Sequence, residues 1–266
     1  MDRDARLRQI SLPQDDLAQL REAKDVLEQV FNDALLAVYL HGSAVLDGLR
    51  PASDLDVLAV SGRRLSHRVR QHLARGLLRI SGGDPPTSRR GLDVQAVCAT
   101  DVRPWRYPPR VEFHFGEWRR ESLERMDPMA LAARDDPDAT VAIALTRAAG
   151  VVLVGASPRQ FLDPVPRPDL ERAMLDGIDP LVGDLERDTW NVLLTLARIW
   201  HSLDSGQIVS KSAAAQWAIS RLATDDAAVL GRALDWYIGR GVDASAQLSR
   251  EARSTAESML REIRRL

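Results

Sequence analysis

The sequence predicts an α/β (α+β) domain with a small mixed sheet, followed by an all-α helical bundle. Three observations carry that expectation. Short apolar, strand-like runs alternate with segments of helical periodicity through the first part of the chain. Gly155, Pro158, Pro164, Pro166 and Pro168 then cluster, a composition that marks a linker. Beyond them no convincing alternating strand is found. The expected domains are therefore residues 1–157 and 158–266.

The first helix is read over residues 15–31, where Leu17, Leu20, Leu27 and Val30 share one side. Residues 37–40 form a short apolar strand, and Gly42-Ser43 turns the chain away from it. Residues 44–49 and the turn Arg50-Pro51-Ala52-Ser53 lead to a second strand over residues 54–60. Residues 65–80 read as a helix with Val69, Leu73, Leu77 and Ile80 on one face, stopped by Ser81-Gly82-Gly83-Asp84-Pro85-Pro86. Strands follow at 92–99 and 111–115, and helices near 118–126 and 137–149. In the second part, residues 170–175, 187–203, 210–222, 227–239 and 245–266 all read as helices. A cleft between the two parts is the expected meeting place for two substrates.

The bulk numbers exclude several classes. The 36 basic and 38 acidic side chains leave a formal charge of −2, so no global basic field points to nucleic acid. No apolar run is long enough to span a bilayer, and the charged start Met1-Asp2-Arg3-Asp4-Ala5-Arg6 is not a secretory signal. Cys98 is the only cysteine, which rules out an internal disulfide and fits a reducing cytoplasm. Within its apolar run it reads as a small buried hydrophobe. A monomer acting on small molecules is expected.

Chemistry concentrates at Gly42-Ser43 and, after ten intervening residues, Asp54-Leu55-Asp56. In an extended strand Asp54 and Asp56 project to one side and Leu55 and Val57 to the other. Two like charges on one face are costly unless something cancels them, and a divalent cation does so. Mg²⁺ suits the pair, since it takes oxygen ligands and shares them with substrate phosphates. Gly42 lets backbone amides approach a phosphate, and Ser43 adds a hydroxyl. Separately, an Asp-x-Asp is most often a solvated edge and Gly-Ser a common turn. In the order strand, Gly-Ser, short helix, Asp-x-Asp strand, they resemble the signature of the DNA-polymerase-β-like nucleotidyltransferase superfamily. That resemblance implies transfer of a nucleoside monophosphate from a nucleoside triphosphate. Asp93 is the single acidic residue of its strand. It completes a metal-binding triad if that strand lies beside residues 54–60, and otherwise merely ends the preceding loop.

A narrower resemblance runs across nearly the whole chain. Tyr39-Leu40-His41-Gly42-Ser43-Ala44-Val45, Ser53-Asp54-Leu55-Asp56, Pro104-Trp105-Arg106-Tyr107-Pro108 and Phe115-Gly116-Glu117-Trp118 occur in order. So do Leu153-Val154-Gly155, Phe161-Leu162-Asp163-Pro164-Val165-Pro166, the segment from Asn191 to Trp200, and Ala214-Ala215-Gln216-Trp217-Ala218. In these stretches the chain resembles the aminoglycoside 3''-adenylyltransferases, which confer resistance to streptomycin and spectinomycin. The resemblance implies an ATP-dependent adenylyltransferase that uses Mg²⁺, two ions being expected, with Asp54, Asp56 and Asp93 as metal ligands and Asp93 as catalytic base. The family has a glutamate at that last position, so the base is one methylene shorter here.

The same resemblance implies nucleotide contacts at Gly42, Ser43, Ser53, Arg198, Lys211 and Tyr237. Tyr237 is read either as stacking on the adenine or as a core residue. Antibiotic contacts are implied at Trp118, Asp184, Asp188 and Asn191. Asp184 and Asp188 are four apart and share a face if a helix begins near them. The pairing of Trp118 with Asp184 goes with streptomycin recognition in addition to spectinomycin. The alternatives left open are a spectinomycin-only enzyme, a related transferase acting on a protein or another metabolite, and a non-catalytic binder of drug or nucleotide.

Overall fold

The computed structural model describes residues 12–82, 89–241 and 245–266, without the side chains of 245–250. The charged start over residues 1–6, and residues 83–86 of the expected helix breaker, lie outside the described residues. The chain forms two compact units, Met1–Leu49 with Ser53–Asp169, and Arg50–Ala52 with Leu170–Leu266.

The first unit is built on a mixed six-stranded sheet among the described residues. Its strands are β1 (Leu35–Leu40), β2 (Leu55–Ser61), β3 (Leu92–Cys98), β4 (Arg110–Phe115), β5 (Arg134–Asp135) and β6 (Val151–Val154). Their order is β5-β4-β3-β2-β1-β6. Only β2 and β3 run parallel, and their register sets Asp56 opposite Asp93. The other neighbours are antiparallel.

Alternation assigns the two faces of this sheet. Leu55, Val57, Ala59, Leu92, Val94 and Ala96 point to one core. There they meet Leu20, Leu27 and Phe31 of helix α1 (Gln14–Phe31) and Leu73 and Leu77 of α2 (His67–Leu78). Leu58, Val60 and Val97 point to the other core, with Ala139 and Ile143 of α3 (Asp138–Ala149). Each fully buried aliphatic side chain contributes roughly 1.5–3 kcal/mol. Asp56 and Asp93 thus stand at the end of an apolar column, on the α3 side. Both the expected helix at 118–126 and β6 need qualification. The former is a 3₁₀ turn, Glu117–Arg119, followed by a short α-helix, Arg120–Glu124. The latter was not anticipated, being too short for its alternation to register.

The proline-rich stretch expected as a linker packs instead on the first unit. Gly155 has φ of +80°, and a Cβ there would stand 2.1 Å from the Leu36 carbonyl oxygen. Leu162 is fully buried, with Phe161 and Val165 packed against the same core. Arg147 Nε donates to the Leu162 carbonyl at 3.0 Å, and Trp105 Nε1 donates to Asp169 Oδ2 at 2.8 Å. Apolar residues between the prolines hold the segment down, and by packing the first compact unit extends to Asp169.

Helix α4 (Arg167–Asp176) carries the chain across that division. In the second unit, α5 (Thr189–Ser205) buries Val192, Leu193, Leu194, Leu196, Ala197 and Trp200, which cover most of its circumference. Such a helix must be surrounded. It packs against α6 (Lys211–Ile219), α7 (Thr224–Tyr237) and α8 (Ser245–Ile263). Gly206, at φ +72°, ends α5 in a left-handed cap, and the Ser210 hydroxyl accepts from the Ala213 amide to start α6. Asp226 ties α7 to α8 by accepting from Thr255 Oγ1 at 2.9 Å and Ser258 Oγ at 2.6 Å. Among the described residues no helix is long and apolar enough to cross a membrane.

One buried ion cluster supports the sheet. The Glu112 carboxylate is fully enclosed and accepts from the Leu65 amide at 2.8 Å and Arg70 Nη2 at 2.9 Å, with Arg64 and Arg110 alongside. Burial opposes its charge, but the Leu65 and Arg70 bonds outweigh it and hold the carboxyl below the usual range. Because the folded-state pKa is depressed, the stabilisation is complete above the range in which an unfolded glutamate ionises. It is lost as pH falls through the lower, folded value. Glu112→Gln is expected to cost about 3 kcal/mol at neutral pH in urea titration, and to remove part of the acid-side fall in stability.

Candidate active site

The turn after β1 is shaped by Asp56. The His41 amide donates to the Asp56 carbonyl at 3.0 Å, which pins the end of β1 to β2. Gly42 follows at φ +67°, and a Cβ there would stand 1.8 Å from Asp56 Oδ2. Only glycine permits both the dihedral and the contact. Ser43 then opens a single helical turn, Ser43–Leu46. Asp54 lies one residue before β2, where the Leu55 amide donates to the Gly91 carbonyl at 2.9 Å. A Cβ on Gly91 would come within 2.2 Å of Asp54 Oδ1 and 3.2 Å of Glu117 Cγ. Ser53 is buried, and its carbonyl accepts from Arg90 Nη1 at 2.9 Å.

Beside Asp56, Asp93 begins a second polar group on the same face. Its Oδ1 accepts from His114 Nε2 at 2.9 Å. His114 is paired across the β3–β4 ladder with Gln95, two residues beyond Asp93. Its Nδ1 faces Asp136 Oδ2 at 3.8 Å, too long for a direct hydrogen bond. Burial opposes protonation of His114, but the negative charges of Asp93 and Asp136 prevail and push its pKa up to about 9. Asp136 is anchored by Arg134 Nη2 at 2.8 Å and the Asp138 amide at 3.2 Å. Burial works against its charge as well, yet His114 and Arg134 hold it below the usual carboxylate range.

His41 stands apart. It is buried, and neither ring nitrogen has a hydrogen-bond partner among the described residues. Burial lowers its pKa to about 4, although the Asp93 charge pulls the other way, so it is a neutral imidazole at pH 7.

Among the described residues no group of three acidic, histidine or cysteine side chains is gathered so as to hold a metal ion. The expected set of Asp54, Asp56 and Asp93 is therefore not a ready-made cage. Asp93 is bonded to His114, and Asp54 lies against Gly91. What remains does suit Mg²⁺. Asp56 and Asp93 present carboxylate oxygens from adjacent strands on one face, and Mg²⁺ is ordinarily held by one or two carboxylates together with substrate phosphates.

Trp118 is 59% exposed, and its indole meets the His114 ring edge-on at 5.4 Å. An exposed indole face on a buried support is a stacking surface for a sugar or guanidinium.

The second unit carries six of the expected residues, Asp184, Asp188, Asn191, Arg198, Lys211 and Tyr237. Asp184 and Asp188 do not share a helical face, since the chain turns between them and α5 starts only at Thr189. The Asp188 amide donates to the Asp184 carbonyl at 2.9 Å, a single turn that is not continued. Asp184 is exposed and paired with Arg187 at 2.6 Å. Asp188 accepts from Asn191 Nδ2 at 2.8 Å, and Asn191 Oδ1 accepts from Lys211 Nζ and from Thr195 Oγ1. Lys211 also lies over the rings of Trp190 at 5.7 Å and Tyr237 at 6.0 Å. Tyr237 is 3% exposed and stacked on Trp190 at 5.6 Å, so its ring is core and offers no free face to an adenine. Arg198 is half-buried on α5.

His114, Asp136, Glu117, Gly91 and His41 were not anticipated as site residues. His114 alternates with Phe113 and Phe115 like any half-buried strand residue, and only the β3–β4 pairing brings it to Asp93.

Known proteins resemble this chain along most of its length. The description "aminoglycoside adenylyltransferase, C-terminal domain" matches residues 160–262. The spectinomycin 9-adenylyltransferase of Campylobacter jejuni is 31% identical over 249 residues, covering 93% of this chain and 95% of its own. The aminoglycoside (3'') (9) adenylyltransferase of Escherichia coli is 38% identical over 237 residues, covering 86% and 87%. Among solved structures, the spectinomycin adenyltransferase AAD(9) from Enterococcus faecialis, with ATP and spectinomycin, has a TM-score of 0.85. It covers 91% of this chain and 98% of its own at 23% identity, a likeness of fold.

Two glycines separate backbone strain from displacement of an acid. Gly42→Ala is expected to cost roughly 1–2 kcal/mol in urea titration and to weaken calorimetric binding of ATP with Mg²⁺ at least about tenfold. Gly48→Ala, at φ +87° but with nothing within 4 Å of its Cβ, should show the strain and leave the binding intact.

Proposed function

Because the chain belongs to the aminoglycoside adenylyltransferase family, we propose that it transfers AMP from ATP to the 3'' hydroxyl of streptomycin and the 9 hydroxyl of spectinomycin. The observation that supports this most is the parallel register that sets Asp56 beside Asp93 at the end of one sheet face, against the glycine turn. Such a face suits the phosphates of a nucleotide and the hydroxyl of an acceptor at neighbouring points.

In this reading Asp93 takes the proton of the drug hydroxyl, whose oxygen bonds to the α-phosphorus. The bond from that phosphorus to the bridging oxygen breaks, and pyrophosphate leaves. Asp54, Asp56 and Asp93 would hold Mg²⁺ together with the substrate phosphates, and the ion would neutralise charge on the phosphate oxygens. Gly42, Ser43 and Ser53 line the phosphates, and Arg198 and Lys211 bring the opposing charge. Tyr237 contributes by packing Trp190 under Lys211 rather than by stacking on the base. Trp118, Asp184, Asp188 and Asn191 bind the drug, whose guanidinium and amine groups match carboxylates and an indole face. The enzyme works as a monomer in the cytoplasm, with ATP and the antibiotic as its partners.

Incubation of the protein with ATP, Mg²⁺ and each drug should add the mass of one AMP to both, with release of pyrophosphate. Neither drug gaining that mass would reject the reading. Asp56→Ala is expected to lower turnover of both drugs by about a thousandfold. Trp118→Ala should raise the KM for streptomycin by about tenfold and leave spectinomycin within about threefold. Equal loss with both drugs would remove Trp118 from streptomycin recognition.

A further inference from the structure

We propose that His114 is a positioning residue for this transfer, orienting the Asp93 carboxylate through Nε2 and the Trp118 indole through its ring edge. The inference rests on the adenylyl-transfer reading and deepens it. A carboxylate accepts hydrogen bonds only, so His114 Nε2 is the donor in its 2.9 Å contact with Asp93 Oδ1. That bond occupies one oxygen of Asp93. The other has no protein partner among the described residues, and the side chain keeps 21% of its surface open. A short aspartate near the start of a strand would otherwise sample several rotamers. Bonded to a buried imidazole, it presents one oxygen in one direction.

The imidazole is itself held. It lies buried across from Gln95, with Nδ1 turned toward Asp136. Asp136 in turn is fixed by Arg134 and the Asp138 amide. On its remaining side the ring meets Trp118 at 5.4 Å and 82°. One strand residue therefore touches both the group proposed to take the proton and the group proposed to receive the drug. A misplacement of about 1 Å at such a point is enough to cost on the order of a hundredfold in rate. A purely structural ion pair would account for the distance to Asp93, but it gives no reason for the same ring to support an exposed indole.

His114→Leu and His114→Gln separate the two roles, because the glutamine amide can replace Nε2 as donor. With both melting cooperatively, His114→Leu should lower kcat at least tenfold on either drug while the KM for ATP stays within threefold. His114→Gln should recover most of that loss on spectinomycin, with streptomycin recovering less because the ring under Trp118 is gone. A loss below tenfold for the leucine variant overturns the proposal, as does a glutamine variant no faster than leucine. Should His114→Leu not fold, Asp136→Asn takes its place, with a threefold fall in kcat as the threshold. A wild-type protein that adenylylates neither drug removes the proposed function instead. The pairing is then judged by imidazole NMR of the free protein, where the His114 Nε2–H resonance must shift on Asp93→Ala; an unshifted resonance overturns it.

Discussion

The placement of two carboxylates side by side, Asp56 and Asp93, on neighbouring parallel strands is the constraint around which the first unit is arranged. Like charges in that register repel, and an apolar column of Leu58, Val60 and Val97 on the same face offers them no relief. The surroundings supply what the column cannot. Gly42 clears space against Asp56, and His114 hydrogen-bonds Asp93. The single parallel pair in an otherwise antiparallel sheet is what makes the adjacency possible. An antiparallel β2–β3 pair would carry the two acids to opposite ends of the ladder.

Much of this was legible in the sequence because it depends on local period. The alternation of Asp54 and Asp56 against Leu55 and Val57 correctly assigned the two sheet faces, and the strand around Asp93 lies where its apolar run placed it. What was not legible depends on pairing between distant segments. His114 is twenty-one residues from Asp93, and nothing in Phe113-His114-Phe115 announces a partner. Asp136 joins through a two-residue strand too short to leave a pattern. The proline-rich segment misled for a different reason. Prolines mark the absence of regular structure, but they do not exclude packing, and Leu162 between them is fully buried.

In the second unit the lesson concerns occupancy. Asp188, Asn191 and Lys211 are joined by hydrogen bonds, so residues assigned to the antibiotic and to the nucleotide share one network. Their neighbours Trp190 and Tyr237 supply a stacked aromatic floor for the Lys211 ammonium. The helix expected to align Asp184 with Asp188 gives way to a turn, which leaves Asp184 on the surface and Asp188 at the start of α5. Asp188 there occupies the N-cap of α5 and accepts from Asn191 one turn on.

The two glycines under the acids divide the first unit's site by tolerance to change. Where Asp54 and Asp56 rest on bare backbone, a single added carbon collides with a carboxylate oxygen, so the floor admits no variation. Trp118 is largely exposed, its indole resting on Gly116 and on the edge contact with His114. Freedom to vary is thereby concentrated at the exposed indole and withheld from the backbone beneath the acids.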